Sequence, residues 1–191
     1  MIAVKRGCGD VGEEWEDRES GRVNVIVAAV AAGKEELVRV LLDHPDVDPV
    51  CVGTTGVSLI REAVVEGHVD ILRVLLEDGR CDPGEDDNGA IGNAAMNGKV
   101  EIVQVLLEDP RVDPGGGEDY AIRWASWFGQ ADVVSLLLAH PSVDPTADRN
   151  APINDAWENA HLDVVAILAA DPRVSVPEEC LPYINNLVGE E

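Results

Sequence analysis

Apolar residues recur along this chain in a compound rhythm: a block at helical spacing, a glycine, a second block at helical spacing, then a proline. The rhythm is plainest in Tyr120-Ala-Ile-Arg-Trp-Ala-Ser-Trp-Phe-Gly129, followed by Gln130-Ala-Asp-Val-Val-Ser-Leu-Leu-Leu138 and His140-Pro-Ser-Val-Asp-Pro145. Apolar positions three and four apart predict amphipathic helices. A glycine at the end of the first block predicts a left-handed reversal without a Cβ clash. A proline that cannot continue the second helix predicts its stop. The element predicted is therefore helix, tight turn, helix, stop.

That element is repeated. The closing glycine recurs at Gly33, Gly67, Gly98 and Gly129, and Ala160 then takes the slot. Seven residues before each stand Ile26, Ile60, Ile91, Ile122 and Ile153; four before stand Ala29, Ala63, Ala94, Ala125 and Ala156. Leucine pairs follow at 41–42, 75–76, 106–107 and 137–138, decaying to Leu168-Ala169, and Pro49, Pro83, Pro114 and Pro145 end the first four copies, with Val176 in that slot of the fifth. Five landmarks in one register mark a repeat array. The isoleucine and the alanine share one face of the first helix, and the alanine is small because the two helices of a copy approach closely there. No copy buries enough apolar surface alone, so stacking is what makes the core continuous.

The predicted organisation is an acidic leader over 1–21 and an array over 22–191, with copies at about 22–49, 50–83, 84–114, 115–145 and 146–176 and a half-copy cap over 177–191. Two copies depart from the rest. The first helix of the first copy (Val23, Ile26, Val27, Ala29, Val30) is more apolar than its counterparts, so either the leader covers it or it meets another chain; otherwise a monomer is expected. The second copy carries three extra residues within Val50–Val57, a loop with two glycines. The cap presents Asn185, Asn186, Glu190 and Glu191, a polar end that suits a lid.

Composition narrows the function. Apolar residues are 46% of the 191, enough for a continuous core, whereas aromatics are only 4%, so small aliphatics carry the packing. The net charge of -23 repels phosphate backbones and anionic lipid heads, which disfavours nucleic acid and membrane and favours a basic protein partner. Cys8, Cys51, Cys81 and Cys180 lack paired spacing and read as thiols of a reducing compartment. With no secretory pattern at the start and no apolar run long enough for a bilayer, a cytoplasmic chain is expected, with the nucleus as the alternative.

Gly67-His68-Val-Asp-Ile-Leu-Arg-Val-Leu-Leu76, Gly98-Lys-Val-Glu-Ile-Val-Gln-Val-Leu-Leu107 and Gly129-Gln-Ala-Asp-Val-Val-Ser-Leu-Leu-Leu138 resemble the G-H-x-[DE]-V-V-x-L-L-L core of the ankyrin repeat. The alanine before each glycine matches the last position of that family's T-P-L-H-x-A. The resemblance covers about 22–191. It departs where Gly89-Ala-Ile-Gly92, Tyr120-Ala-Ile-Arg123 and Ala151-Pro-Ile-Asn154 replace the T-P-L-H tetrapeptide, and where the units are 31 residues instead of about 33. Losing the threonine and histidine removes hydrogen bonds that brace the usual hairpin. The resemblance implies an all-α, ankyrin-like helix-turn-helix solenoid with short hairpin loops, about five repeats and a C-terminal half-repeat.

No phosphate-binding loop, nucleophile elbow or metalloprotease motif is present, so no enzymatic activity and no cofactor are expected. His68 and His161, and likewise His44 and His140, are three copies apart, on the order of 30 Å at about 10 Å per stacked layer, so they share no metal site. The resemblance implies instead a protein-protein interaction module with its partner on the concave face of hairpins and first helices; the alternative is an adaptor or regulatory subunit whose activity lies in another chain or domain. In that family the two residues before the repeat glycine and those of the hairpin tend to face the partner. Carried over, these are Val65-Glu66, Met96-Asn97, Trp127-Phe128 and Glu158-Asn159, with Glu85, Asp86 and Asp148 around them. Trp127 and Phe128 are the expected centre, with Arg123 one helical turn before Trp127, although one of these rings packed between copies is an alternative. Trp124 falls in a slot that the family fills with buried leucine, so it is expected in the core, and Trp157 is expected to pack against the fourth copy. The partner expected is a protein segment with an apolar anchor flanked by Lys or Arg.

Overall fold

The computed structural model describes residues 25–45, 47, 49 and 58–188. The leader with Trp15, the start of the first copy at Arg22, the insertion within 50–57 and the last residues of the cap lie outside them. Among the described residues there are eleven helices and no strand. They run as five pairs and a last helix: α1 (Val25–Ala31) with α2 (Glu35–Leu42), α3 (Leu59–Glu66) with α4 (Val69–Asp78), α5 (Glu85–Met96) with α6 (Val100–Leu107), α7 (Gly116–Trp127) with α8 (Ala131–Leu138), α9 (Ala147–Glu158) with α10 (Leu162–Ala169), and α11 (Leu181–Val188). The chain divides into two compact units, Met1–Pro83 and Gly84–Glu191.

In the first unit α1 packs on α3 and α2 on α4. Ile26, Ala29, Ile60 and Ala63 of the first helices are buried against Val38, Leu41, Ile71, Leu72 and Leu75 of the second. A ring nitrogen of His68, the residue after the glycine, lies 3.4 Å from the Ala31 carbonyl of the preceding pair. Arg80 donates to the Leu42 and Val47 carbonyls at 2.8 and 3.2 Å while paired with Asp78. Val25 and Val40 remain exposed.

In the second unit α5, α7 and α9 form one layer and α6, α8 and α10 the other. The isoleucine and alanine landmarks, Ile91, Ala94, Ile122, Ala125, Ile153 and Ala156, are all buried to 1% exposure or less, which is what a shared face at close helix approach requires. The first helices do not begin in right-handed geometry. Asp86-Asp87-Asn88, Gly117-Glu118-Asp119 and Asp148-Arg149-Asn150 each form a left-handed turn with φ between 47° and 64°. Such a turn costs roughly 1–2 kcal/mol per ordinary residue and is eased where Asn or Asp bonds locally. The third residue of each turn does more: it reaches forward to the end of its own copy. Asn88 Oδ1 accepts the Asp113 N–H at 2.8 Å, Asp119 Oδ1 accepts the Asp144 N–H at 2.8 Å, and Asn150 Nδ2 donates to the Ser175 carbonyl at 3.2 Å. These bonds stand where the threonine and histidine of the usual hairpin are missing.

A second ladder joins the ends of the second helices. Asp109 pairs with Arg111 at 2.6 Å and Asp171 with Arg173 at 2.7 Å, and Arg173 donates to the Val143 and Leu138 carbonyls of the preceding copy at 3.0 and 3.2 Å. Hydrogen bonds from these arginines hold the carboxyls of Asp78, Asp109 and Asp171 below their ordinary range. The fourth copy substitutes His140 and Ser142 in these slots, which share a 3.0 Å hydrogen bond.

Gly129 illustrates how a first helix closes. Gln130 N–H reaches Ala125 O at 2.8 Å and Gly129 N–H reaches Ser126 O at 3.2 Å, the two bonds of a Schellman turn. Gly129 sits at φ 72°, and a methyl group on it would come within 2.5 Å of the His161 ring, which packs over it from the next copy. Both backbone and space demand glycine there. Ala160 adopts the same left-handed geometry at φ 60°, but its side chain is exposed. In α11, Tyr183 and Ile184 are half-buried, whereas Asn185 and Asn186 are exposed.

Candidate functional site

Helix α7 is apolar on two sides. One side is the core face, Ala121, Ile122 and Ala125, with Ser126 beside them, all buried. The other is Tyr120, Trp124, Trp127 and Phe128, exposed by 46, 41, 42 and 46%. Positions 120, 124, 127 and 128 keep helical spacing, so these rings make one continuous stripe. At about 200 Å² per ring the stripe exposes on the order of 350 Å² of aromatic surface, within the range that marks functional patches. The Trp124 and Phe128 centroids are 5.9 Å apart with the rings tilted by 33°. Trp124 is thus not in the core: the helix turns its slot outward, away from Ile122 and Ala125, which corrects the expectation drawn from the buried leucine. Trp127 and Phe128 are both exposed to a little under half. Trp157 is half-buried.

Next to the stripe, the Arg123 side chain is half-buried. Its guanidinium carbon lies 5.8 Å from the Tyr120 ring centroid and its Nη2 is 3.1 Å from Asp148 Oδ2 in the turn that opens α9. Its Nε is sealed from solvent without a hydrogen-bond partner. Burial pushes the Asp155 carboxyl above its ordinary range, with the Arg123 charge opposing and the charges of Glu158 and Asp148 adding to the rise. Arg123 is therefore paired with Asp148 and acts on the Asp155 carboxyl, which also feels Glu158.

The other predicted residues flank α7 or stand apart. On α5, Met96 is half-buried; Asn97, just beyond that helix, is exposed and donates to the Asn93 carbonyl at 2.8 Å. On α9, Glu158 is exposed and Asn159 donates to the Asp155 carbonyl at 2.8 Å. Both asparagines thus close their own helices. Because α5, α7 and α9 pack side by side, the slots 96–97, 127–128 and 158–159 form one strip across the second unit. Asp86 and Asp148 are exposed in the left-handed turns at the other end of these helices, and Glu85 is exposed just before the first of them. Glu66 is the exposed last residue of α3 in the first unit. The next copy also fixes this end of α7, since a His161 ring nitrogen lies 3.0 Å from the Trp127 carbonyl.

Sequence reasoning missed Tyr120, Trp124 and Asp155. The signal for the first two was present: 120, 124, 127 and 128 form a second apolar stripe at helical spacing beside the landmark stripe 122 and 125. Among the described residues no group of three or more metal-ligating side chains comes together, and no helix is long and apolar enough to cross a membrane.

Residues 91–177 match the family model described as ankyrin repeats (3 copies). No curated protein matched the chain. The match covers α7 and the strip around it, and ankyrin repeats are in general protein-protein interaction modules. Over 91–177, a little under half of the chain, three matching copies and the helix pairs found there make this chain similar to the ankyrin repeat family.

Proposed function

We propose that this chain is a non-enzymatic protein-interaction module whose partner docks on the first-helix side of the second unit, the side that ankyrin arrays make concave. One observation carries the reading: α7 presents four half-exposed aromatic rings opposite its buried face. A helix needs one apolar stripe to join the stack; the second stripe stays nearly half exposed after stacking and has the composition of an interface centre. Met96, Asn97, Glu158 and Asn159 form the rim of that surface, Arg123 and Asp148 its polar edge, and Glu85, Asp86 and Glu66 outlying contacts.

Affinity capture from the source cell lysate tests it, comparing the wild type with Trp127→Ala/Phe128→Ala after circular dichroism has shown both to be folded. A protein retained by the wild type and lost by the variant supports the reading. The same protein retained by both moves recognition elsewhere on the chain, and a chain that retains nothing weakens the module reading itself.

A further inference from the structure

Resting on that reading, we propose that the occupant of the α7 stripe is a cationic protein segment, with an Arg or Lys side chain seated between the rings of Trp124 and Trp127 and the carboxylates of Asp155 and Glu158. Trp124 and Asp155 hold the same slot of adjacent copies, and so do Trp127 and Glu158. Helices α7 and α9 pack side by side, which sets equivalent residues about 10 Å apart. An aromatic step on one helix therefore lies beside an acidic step on the next.

The chain already holds one guanidinium in this manner. Arg123 lies over the Tyr120 ring and against Asp148, and the Asp155 carboxyl feels it. One cation against Asp148, Asp155 and Glu158 leaves the patch negative, and the chain as a whole carries a net charge of -23. Indole faces are the best rings for a cation, and a planar guanidinium stacks on them while offering donors to a carboxylate. An anionic or purely apolar segment gains the rings but not the carboxylates, and an anionic one is repelled by them.

The test is a tryptophan-fluorescence titration of the full chain with a synthetic peptide. The peptide has Leu-Leu at its centre, Arg on both sides and Ser and Gly elsewhere; its counterpart has Glu in place of Arg. Two charge-matched variants separate a site from diffuse attraction. Asp155→Asn/Glu158→Gln neutralises the proposed seat, whereas Glu101→Gln/Asp132→Asn removes the same charge from exposed positions on α6 and α8. The proposal predicts binding of the Arg peptide only, weakened about tenfold by the first variant and less than about twofold by the second, and falling as salt rises. Equal weakening by both variants, equal binding of the Glu peptide, or no binding of the Arg peptide overturns it. If the Arg peptide fails while Trp127→Ala/Phe128→Ala still abolishes capture from lysate, the docking face stands and its cationic occupant falls. If that variant leaves capture unchanged, both fall.

Discussion

Ala160 and Gly129 hold one slot in adjacent copies, share one backbone geometry and carry different side chains, so exchanging their residues tests how the turns are built. At φ 60° the alanine carries left-handed strain of roughly 1–2 kcal/mol. Glycine removes that strain but restores roughly 0.4–1 kcal/mol of unfolded-state freedom. Ala160→Gly should therefore stabilise the chain by roughly 0.5–1 kcal/mol, a rise of about 2 °C in Tm for a chain of this size. Gly129→Ala carries the same strain with the opposite sign and one cost more. Its methyl would lie 2.5 Å from the His161 ring, which must move and release its contact with the Trp127 carbonyl. Adding about 1 kcal/mol for that bond gives a loss of about 1.5–2 kcal/mol and a Tm lower by about 5 °C. Thermal and urea melts followed by circular dichroism at neutral pH measure both. A neutral or destabilising Ala160→Gly would refute the strain argument. A Gly129→Ala no more costly than Ala160→Gly is favourable would refute the packing argument.

The arginine ladder predicts that Arg173→Ala costs about 1–2 kcal/mol in urea unfolding, because the Val143 and Leu138 carbonyls lose a shared donor; Lys at 173 should recover less than half, lacking the fork to reach both, and full recovery would contradict this. Ser126 is fully buried and its hydroxyl has no hydrogen-bond partner, so Ser126→Ala should be neutral or stabilising by up to about 1 kcal/mol, and a clear loss in the same melts would reveal a hidden bond. Stability should peak on the acid side of neutrality. Asp119 and Asp155 are pushed up by burial, so their folded pKa exceeds the unfolded one and their cost is relieved as pH falls through the folded value. Asp78, Asp109, Asp144 and Asp171 are held low by hydrogen bonds from Arg80, Arg111, Thr146 and Arg173; their contribution is complete above about pH 4 and is lost below it. With self-repulsion of the net charge also easing, Tm should rise slightly from pH 7 to about 5 and fall below about 4, whereas a steady fall from pH 7 would contradict the assignment.

The helix pairs were legible because isoleucine, alanine, glycine and leucine act locally. Ile91, Ala94 and Gly98 mark a buried face and its closure whatever surrounds them, and the same register runs through the whole described chain. The left-handed turns were half visible. Asp86-Asp87-Asn88, Gly117-Glu118-Asp119 and Asp148-Arg149-Asn150 are rich in the residue types that tolerate positive φ, but their bonds to Asp113, Asp144 and Ser175 lie 25 residues on, and spacing alone does not reveal them. The arginine ladder was hidden for the same reason. Trp127 and Phe128 were legible as exposed rings. Trp124 was misplaced because a slot rule was preferred to the helical period, which sets it with Tyr120 and Phe128. The acidic seat at Asp155 and Glu158 needed the stack, since only α9 packed on α7 turns a sequence separation of one copy into neighbours.

Site-specific photocrosslinking reads most directly whether a partner protein sits on α7. A photoreactive phenylalanine analogue replaces Trp127 in one preparation and Ser135, exposed on α8 in the second-helix layer, in another. Each is irradiated in lysate of the source cells. Docking on α7 predicts a discrete crosslinked protein from position 127, none from position 135, and loss of the 127 product when salt is raised. A product from position 135 with none from 127 would contradict it and place recognition on the opposite layer.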